Sequence, residues 1–143
     1  MCIRDRLDAC VLAREAGVLV EPTNLVIPTL NDSDEDFHKL ARWIAENMGR
    51  DTPLHFSRFF PQYQMKNLPP TPAETLDRAK EIAHAEGLYH VYIGNVSRPG
   101  SENTYCPGCK TAVIERRGYQ VLANRLVNGK CPKCNQEIRG IWQ

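Results

Sequence analysis

Two closely spaced cysteine pairs near the C-terminus constrain this chain more than any other feature. Cys106 and Cys109 form the first Cys-x-x-Cys pair, and Cys131 and Cys134 form the second. A two-residue spacing lets one tight turn direct two sulfurs at a single ion, and the segment between the pairs is long enough for a hairpin that returns the second pair. The pattern therefore predicts a small all-β zinc ribbon with a four-thiolate site over residues 104–143.

Three other uses of paired cysteines stay open at the level of sequence. Two structural disulfides are one, although doubled Cys-x-x-Cys pairs without a secretory leader more often bind metal. A redox-active pair is another, but such a pair usually opens a helix, whereas residues 110–114 read as a strand. An iron–sulfur cluster is the third, because four cysteines also suit it. Zinc is the favoured interpretation.

Composition places the chain among ordinary globular proteins, with 42% hydrophobic and 24% charged residues. No run approaches the roughly 18 apolar residues that span a bilayer, and Arg4, Asp5, Arg6 and Asp8 are incompatible with a signal peptide. We therefore expect no membrane partner and a cytoplasmic, reducing setting.

Positive charge is concentrated at the C-terminal end. Residues 104–143 hold seven Lys or Arg against two Glu, so residues 1–103 are net negative although the whole chain carries +1. A zinc ion held by four thiolates carries about −2 and would offset part of this excess. So mild an excess indicates a solvated face, and nucleic acid is not favoured as a partner.

Upstream of the cysteines, helical and strand patterns alternate. Helices are predicted at residues 7–16, 34–48 and 72–86, the second capped by Ser33 and the third by Thr71. Strands are predicted at residues 18–28, 54–60 and 89–93. This order predicts an α/β domain over residues 1–103 with parallel strands, of the kind found from the middle onward in a (β/α) barrel or a doubly wound sheet. Residues 1–6 offer no N-cap, and we expect them to be a non-native leader.

Ligands of parallel α/β folds bind at the carboxyl ends of the strands. Those ends are predicted at residues 24–32, 58–66 and 94–103. Between the cysteine pairs, short strands are predicted at residues 112–115 and 119–126, followed by a turn at Asn128-Gly129.

Several blocks of sequence, in order along the chain, are similar to one enzyme family. They are Thr23-Asn-Leu-Val-Ile-Pro-Thr-Leu-Asn-Asp-Ser33, Ser57-Arg-Phe-Phe-Pro-Gln-Tyr63, Leu68-Pro-Pro-Thr-Pro72, Tyr92-Ile-Gly-Asn-Val96 and Glu102-Asn-Thr-Tyr-Cys-Pro107. Together they resemble the C-terminal half of the radical S-adenosylmethionine enzymes of the AmmeMemoRadiSam system, relatives of the pyruvate formate-lyase activating enzymes. The resemblance covers about residues 7–142.

The resemblance implies that residues 1–103 are the C-terminal half of a partial (β/α)₆ barrel with parallel strands. The whole barrel would hold a [4Fe–4S] cluster and S-adenosylmethionine, which is cleaved to a 5′-deoxyadenosyl radical. The resemblance also implies that Asn24, Val26, His55 and Arg58 contribute to the S-adenosylmethionine pocket. The alternative for His55 is a structural histidine whose hydrogen bonds are satisfied within the fold. The alternative for Arg58 is an ion-pair partner on the barrel rim.

The chain departs from this family at the cluster motif. The cluster motif of the family, Cys-x-x-x-Cys-x-x-Cys, is absent from this chain, and neither Cys2 nor Cys10 belongs to such a motif. Without three thiolates the cluster has no ligands and the sulfonium receives no electron. We therefore expect an inactive C-terminal fragment with no catalytic residue, whose ribbon is structural or docks a protein substrate. The alternative is a stand-alone zinc-ribbon module that binds protein or nucleic acid.

Overall fold

The structure is a computed structural model that describes residues 3–96 and 98–142. Its elements, in chain order, are α1 (Ile3–Glu15), β1 (Thr23–Val26), α2 (Asp34–Asn47), β2 (Leu54–Arg58), α3 (Ala73–Ala85), β3 (Val91–Gly94), β4 (Thr104–Tyr105), β5 (Ala112–Arg117) and β6 (Gln120–Asn124). Within these ranges, no helix is both long enough and apolar enough to cross a membrane.

The N-terminal part is a mixed α/β unit with a parallel sheet, as the alternating pattern predicts. Strands β1, β2 and β3 lie in that order and pair in parallel. Helix α2 connects β1 to β2, and α3 connects β2 to β3. Helix α1 begins at Ile3, earlier than predicted, while Met1 and Cys2 lie outside the described residues.

The two faces of this sheet differ. Leu54 and Phe56 are fully buried on the face that packs against α2 and α3. There the ring of Phe37 meets that of Phe56 edge-on, with centroids 5.6 Å apart. Because side chains alternate along a strand, His55 and Ser57 lie on the opposite face, which α2 and α3 do not cover. We call this the helix-free face.

Strands β1 and β2 are shorter than the apolar runs that predicted them. Pro22 has no N–H to donate, so β1 begins only at Thr23. At its other end, the backbone N–H of Ile27 donates to Asn31 Oδ1 at 2.7 Å, which turns the chain away from the sheet. Strand β2 ends at Arg58, before the predicted end at Phe60.

The predicted caps of α2 and α3 have opposite outcomes. Ser33 caps α2 as expected, with its Oγ accepting from the backbone N–H of Asp36 at 3.2 Å. Thr71 does not cap α3, so this prediction was wrong: Pro72 precedes the helix and no side chain bonds to it. The Thr71 hydroxyl is used inside the fold instead, where it donates to the carbonyl oxygen of Val26 at 2.6 Å.

The C-terminal part, residues 104–142, is here called the cysteine module. Its strands β4, β5 and β6 form a second, antiparallel sheet. The turn between β5 and β6 contains Gly118, whose φ of +57° lies in the left-handed region that favours glycine. The predicted turn at Asn128-Gly129 is present, since the N–H and C=O groups of Val127 and Lys130 bond to each other, both at 3.0 Å.

Several polar contacts join the cysteine module to the α/β unit. The hydroxyls of Tyr92 and Thr104 lie 2.8 Å apart. Asp51, in the loop before β2, accepts from Arg139 of the module at 2.9 Å and from Arg14 of α1 at 3.0 Å. One carboxylate therefore ties three distant segments together.

Candidate metal centre

The two cysteine pairs lie on two turns with the same backbone geometry. In the first, the N–H of Lys110 donates to the carbonyl of Cys106 and the N–H of Cys106 to that of Thr111, both at 2.9 Å. Asn135 and Gln136 make the equivalent bonds with Cys131, again at 2.9 Å. The fifth residue of each turn is left-handed, with φ of +59° at Lys110 and +62° at Asn135. Asparagine is a usual residue in this conformation and lysine is not, so the backbone pattern of the turn overrides residue preference in the first pair.

These turns bring all four sulfurs into one cluster. The Sγ atoms of Cys106, Cys109, Cys131 and Cys134 all lie within 4.8 Å of one another. Across the two turns, Cys106 and Cys134 are 3.4 Å apart and Cys109 and Cys131 are 3.6 Å apart. A tetrahedral ion with metal–sulfur bonds of about 2.3 Å would separate its ligands by about 3.8 Å. The predicted ligand set is thus assembled with the spacing of a metal site.

The cluster is part of the interior of its module. Cys106 and Cys131 are buried and pack with Val113, Ile114 and Ile138, whereas Cys134 is exposed. These few apolar residues form a very small core, of the kind that commonly needs a metal or disulfides to be stable.

The thiols differ in their acidity. Hydrogen bonds from the hydroxyl and backbone N–H of Thr111 lower the pKa of Cys109 to about 6. A backbone hydrogen bond from Gln136 also favours the thiolate of Cys134, but the neighbouring cysteine sulfurs outweigh it and raise the pKa of Cys134 to about 12. Four sulfurs this close cannot all ionise without a cation among them. Thr111 therefore contributes to the low pKa of Cys109, a role that the cysteine spacing does not reveal.

The rival uses of the cysteines fit this geometry less well. The sulfur separations of 3.4 Å and 3.6 Å are far beyond the roughly 2.05 Å of a disulfide bond. The first pair leads into strand β5, whereas a redox-active pair usually opens a helix. A divalent metal such as zinc suits four thiolates in this arrangement.

The four residues assigned to S-adenosylmethionine do not share one surface. In the parallel register Asn24 pairs with Phe56 and Val26 with Arg58, so Asn24, Val26 and Arg58 belong to the helix-covered face. Val26 is fully buried there, and Arg58 Nε donates to the carbonyl of Thr71 at 2.8 Å. His55 lies on the helix-free face.

His55 lies in a shallow cleft of about 340 Å³ between the helix-free face and the turn that joins β5 to β6. Its ring stacks on that of Tyr92, with centroids 5.0 Å apart. Its Nε2 is 3.4 Å from a carboxylate oxygen of Glu21, outside hydrogen-bond geometry, and has no hydrogen-bond partner among the described residues. Tyr92 and Glu21 are neighbours of His55 that sequence reasoning did not single out, because they come from other segments.

Comparison with known proteins gives a relative but no activity. The chain is 42% identical over 134 residues to the uncharacterized protein MJ0808 of Methanocaldococcus jannaschii. The alignment takes in 92% of this chain but 40% of that protein, so the chain spans less than half the length of the curated relative. No known protein-family profile matches the chain.

Proposed function

We propose that the cysteine module is a zinc ribbon whose metal is structural. The observation that carries this proposal is the convergence of four cysteine sulfurs within 4.8 Å on two matching turns. A single tetrahedral ion fits sulfurs this close, whereas four irons and their bridging sulfides would hold the cysteines further apart. Zinc is therefore favoured over an iron–sulfur cluster at this position.

Such a site is closed. Four protein thiolates fill the coordination of zinc and leave no position for water or substrate, unlike the three-ligand sites of zinc enzymes. The role of the metal is then to stabilise a module whose apolar core is too small to fold alone, because metal binding supplies folding free energy directly. The folded ribbon can in turn present a surface to a protein substrate.

Metal analysis of the purified chain tests this proposal. We expect one zinc per chain in the parent protein and its loss in Cys131→Ser, which removes a buried ligand. Cys10→Ser is the matched control, since Cys10 packs against the α/β core and takes no part in the cluster, so zinc should be retained. A parent protein without metal, with the four cysteines oxidised to disulfides, would contradict the proposal.

As a second candidate, we propose that the α/β unit is part of a radical S-adenosylmethionine enzyme, whose partial barrel is continued by residues outside this chain. The resemblance of five sequence blocks supports it, as does a parallel sheet with polar side chains on a helix-free face, the arrangement expected of a barrel lumen. The greater length of the curated relative is compatible with it. The cluster ligands would also have to come from outside these 143 residues, because the chain lacks the cluster motif.

Direct binding of S-adenosylmethionine tests this second candidate. On the helix-free face, His55 Nε2 has no hydrogen-bond partner among the described residues, and we expect saturable binding that weakens about tenfold in His55→Ala. His38→Ala is the control, because His38 lies on α2 and pairs with Glu86 at 2.7 Å. Titration calorimetry that detects no binding, or equal binding by both variants, would count against a pocket at His55.

A further inference from the structure

A second cavity lies where strand β3 begins, and of the loops predicted to bind ligands it is bordered by Asn103. It has a volume of about 510 Å³ and is bounded by the end of α3, the start of β3 and the first cysteine turn. Arg50, Lys80 and Lys110 line it, and no aspartate or glutamate does. We call it the cationic cleft. Its volume falls in the range of about 300–1,000 Å³ that is usual for small-molecule sites.

The cations of the cleft differ from the arginines that pair with carboxylates elsewhere in the described residues. Within residues 3–96 and 98–142, the side chains of Arg50, Lys80 and Lys110 make no hydrogen bond or ion pair, whereas Arg42 and Arg98 are each paired with carboxylates. Burial lowers the pKa of Lys80, and the carboxylate of Asp77 offsets this only in part. An ammonium that is partly removed from water and only partly compensated by a nearby carboxylate is destabilising unless a ligand adds negative charge.

Two histidines add neutral polar groups to the same cleft. Burial lowers the pKa of His84 and of His90. His90 is 5% exposed, and its Nδ1 has no hydrogen-bond partner in the part of the chain that the structure describes. His84 Nδ1 donates to the carbonyl of Leu88 at 2.9 Å, which leaves its Nε2 as the free ring nitrogen. A buried polar atom without a partner commonly marks a place where a ligand or water completes the hydrogen bonding.

Two sources of negative potential lie close to these cations. One is the C-terminal end of α3, and the other is the cysteine cluster, which carries about −2 when it holds a divalent ion. Lys110 belongs to the cysteine turn, next to the predicted ligand Cys109. Arg50 and Lys80 belong to the α/β unit, so they remain available to an anion that enters from solvent.

We propose that the cationic cleft binds the phosphoryl group of a small molecule, with Arg50 and Lys80 as its main charged contacts. Arginine and lysine are the usual phosphate-binding side chains. A doubly charged phosphate can balance the charge of two unpaired cations, which a single carboxylate cannot. Tyr89 and Tyr105 border the cleft and are 42% and 38% exposed. Their rings can stack on the base of a nucleotide, so the phosphoryl group can belong either to a nucleotide or to free phosphate.

Calorimetric titration of the zinc-loaded chain with inorganic phosphate, at constant ionic strength, tests this proposal. We expect saturable binding that weakens about tenfold in Lys80→Met, which removes the charge and keeps the apolar stem. The same variant should melt at a higher temperature than the parent without phosphate, because it removes a desolvated charge. Lys66→Met, at an exposed lysine on the loop before α3, controls for the change in net charge.

The outcomes separate the ligand sources and the competing role of the cations. Tighter binding of ADP than of phosphate would identify a nucleotide site, and equal binding of the two would identify a phosphate site. Adenosine binding as tightly as ADP would overturn the proposal, as would equal weakening in Lys66→Met or the absence of saturable binding. If Lys80→Met instead lowered zinc affinity and left phosphate binding unchanged, the cations would serve the thiolate cluster and the proposal would be wrong.

Discussion

The Thr71 side chain fits the sequence pattern of a helix N-cap, but the fold uses its hydroxyl in the interior instead. A threonine followed by proline and, three residues on, by Glu74 has the pattern of an N-cap. In the fold its hydroxyl donates to the carbonyl of Val26 at 2.6 Å and accepts from the N–H of Phe59 at 2.9 Å. Thr71 is completely buried, so both backbone groups depend on it.

This geometry predicts a large effect of removing one oxygen atom. Thr71→Val keeps the shape of the side chain but leaves the carbonyl of Val26 and the N–H of Phe59 buried without their partner. Each unsatisfied group costs about 1–3 kcal/mol, so we expect the free energy of unfolding to fall by about 2–4 kcal/mol in denaturant titrations.

Thr71→Ser is the control, because it keeps the hydroxyl and loses only a methyl group. It should cost about 1 kcal/mol. Equal losses in the two variants would mean that packing of the methyl group, and not the hydroxyl, is what position 71 contributes.

At the scale of elements, the turn at Asn128-Gly129 depends on a second segment. Both residues have positive φ, +51° and +72°, as the tight hairpin turn requires. Trp142 folds back over this turn, and its indole Nε1 donates to the carbonyl of Ile138 at 2.9 Å. A Cβ atom at Gly129 would lie 2.5 Å from the Trp142 ring.

Two glycine variants separate backbone strain from this packing. Gly118 also has positive φ, but a Cβ there would meet nothing within 4 Å. We expect Gly118→Ala to cost about 1–2 kcal/mol from strain alone. Gly129→Ala should cost more, because it carries similar strain and also displaces the indole ring.

Thermal melts at a fixed zinc concentration measure both variants. The part of the fluorescence that comes from Trp142 should fall in Gly129→Ala, which displaces the indole ring. It should stay unchanged in Gly118→Ala. Equal melting temperatures in the two variants would show that Trp142 does not constrain the turn.

On the scale of the whole molecule, the position of the cysteine module relative to the α/β unit depends partly on Asp51. Its carboxylate is bonded to Arg14 and to Arg139, residues 37 and 88 positions away along the chain. Burial opposes ionisation of this carboxyl, but the hydrogen bonds from Arg139 and Arg14 prevail and hold its pKa below the usual value. The clamp is therefore present at neutral pH and is lost only as the pH falls into the range where carboxyl groups titrate.

The sequence alone determined the features whose physics is local. Two Cys-x-x-Cys spacings predict the metal cluster because a turn of four residues fixes two sulfurs, whatever surrounds it. Likewise, Ser33 with Asp36 predicts a helix start, and alternating strand and helix patterns predict a parallel α/β unit. In each case the pattern that carries the prediction lies within a few residues or repeats with a fixed period, whereas the meeting of the two cysteine turns, with Cys106 and Cys134 28 residues apart, is tertiary.

Only the tertiary structure decided which groups from distant segments meet. Alternation along β2 separates His55 from Arg58 in any strand, but the packing of α2 and α3 decides which of the two faces them. The use of Thr71 in the interior, the clamp at Asp51 and the unpaired cations of the cationic cleft were likewise invisible in sequence. Each depends on distances between segments, and local propensity carries no information about those distances.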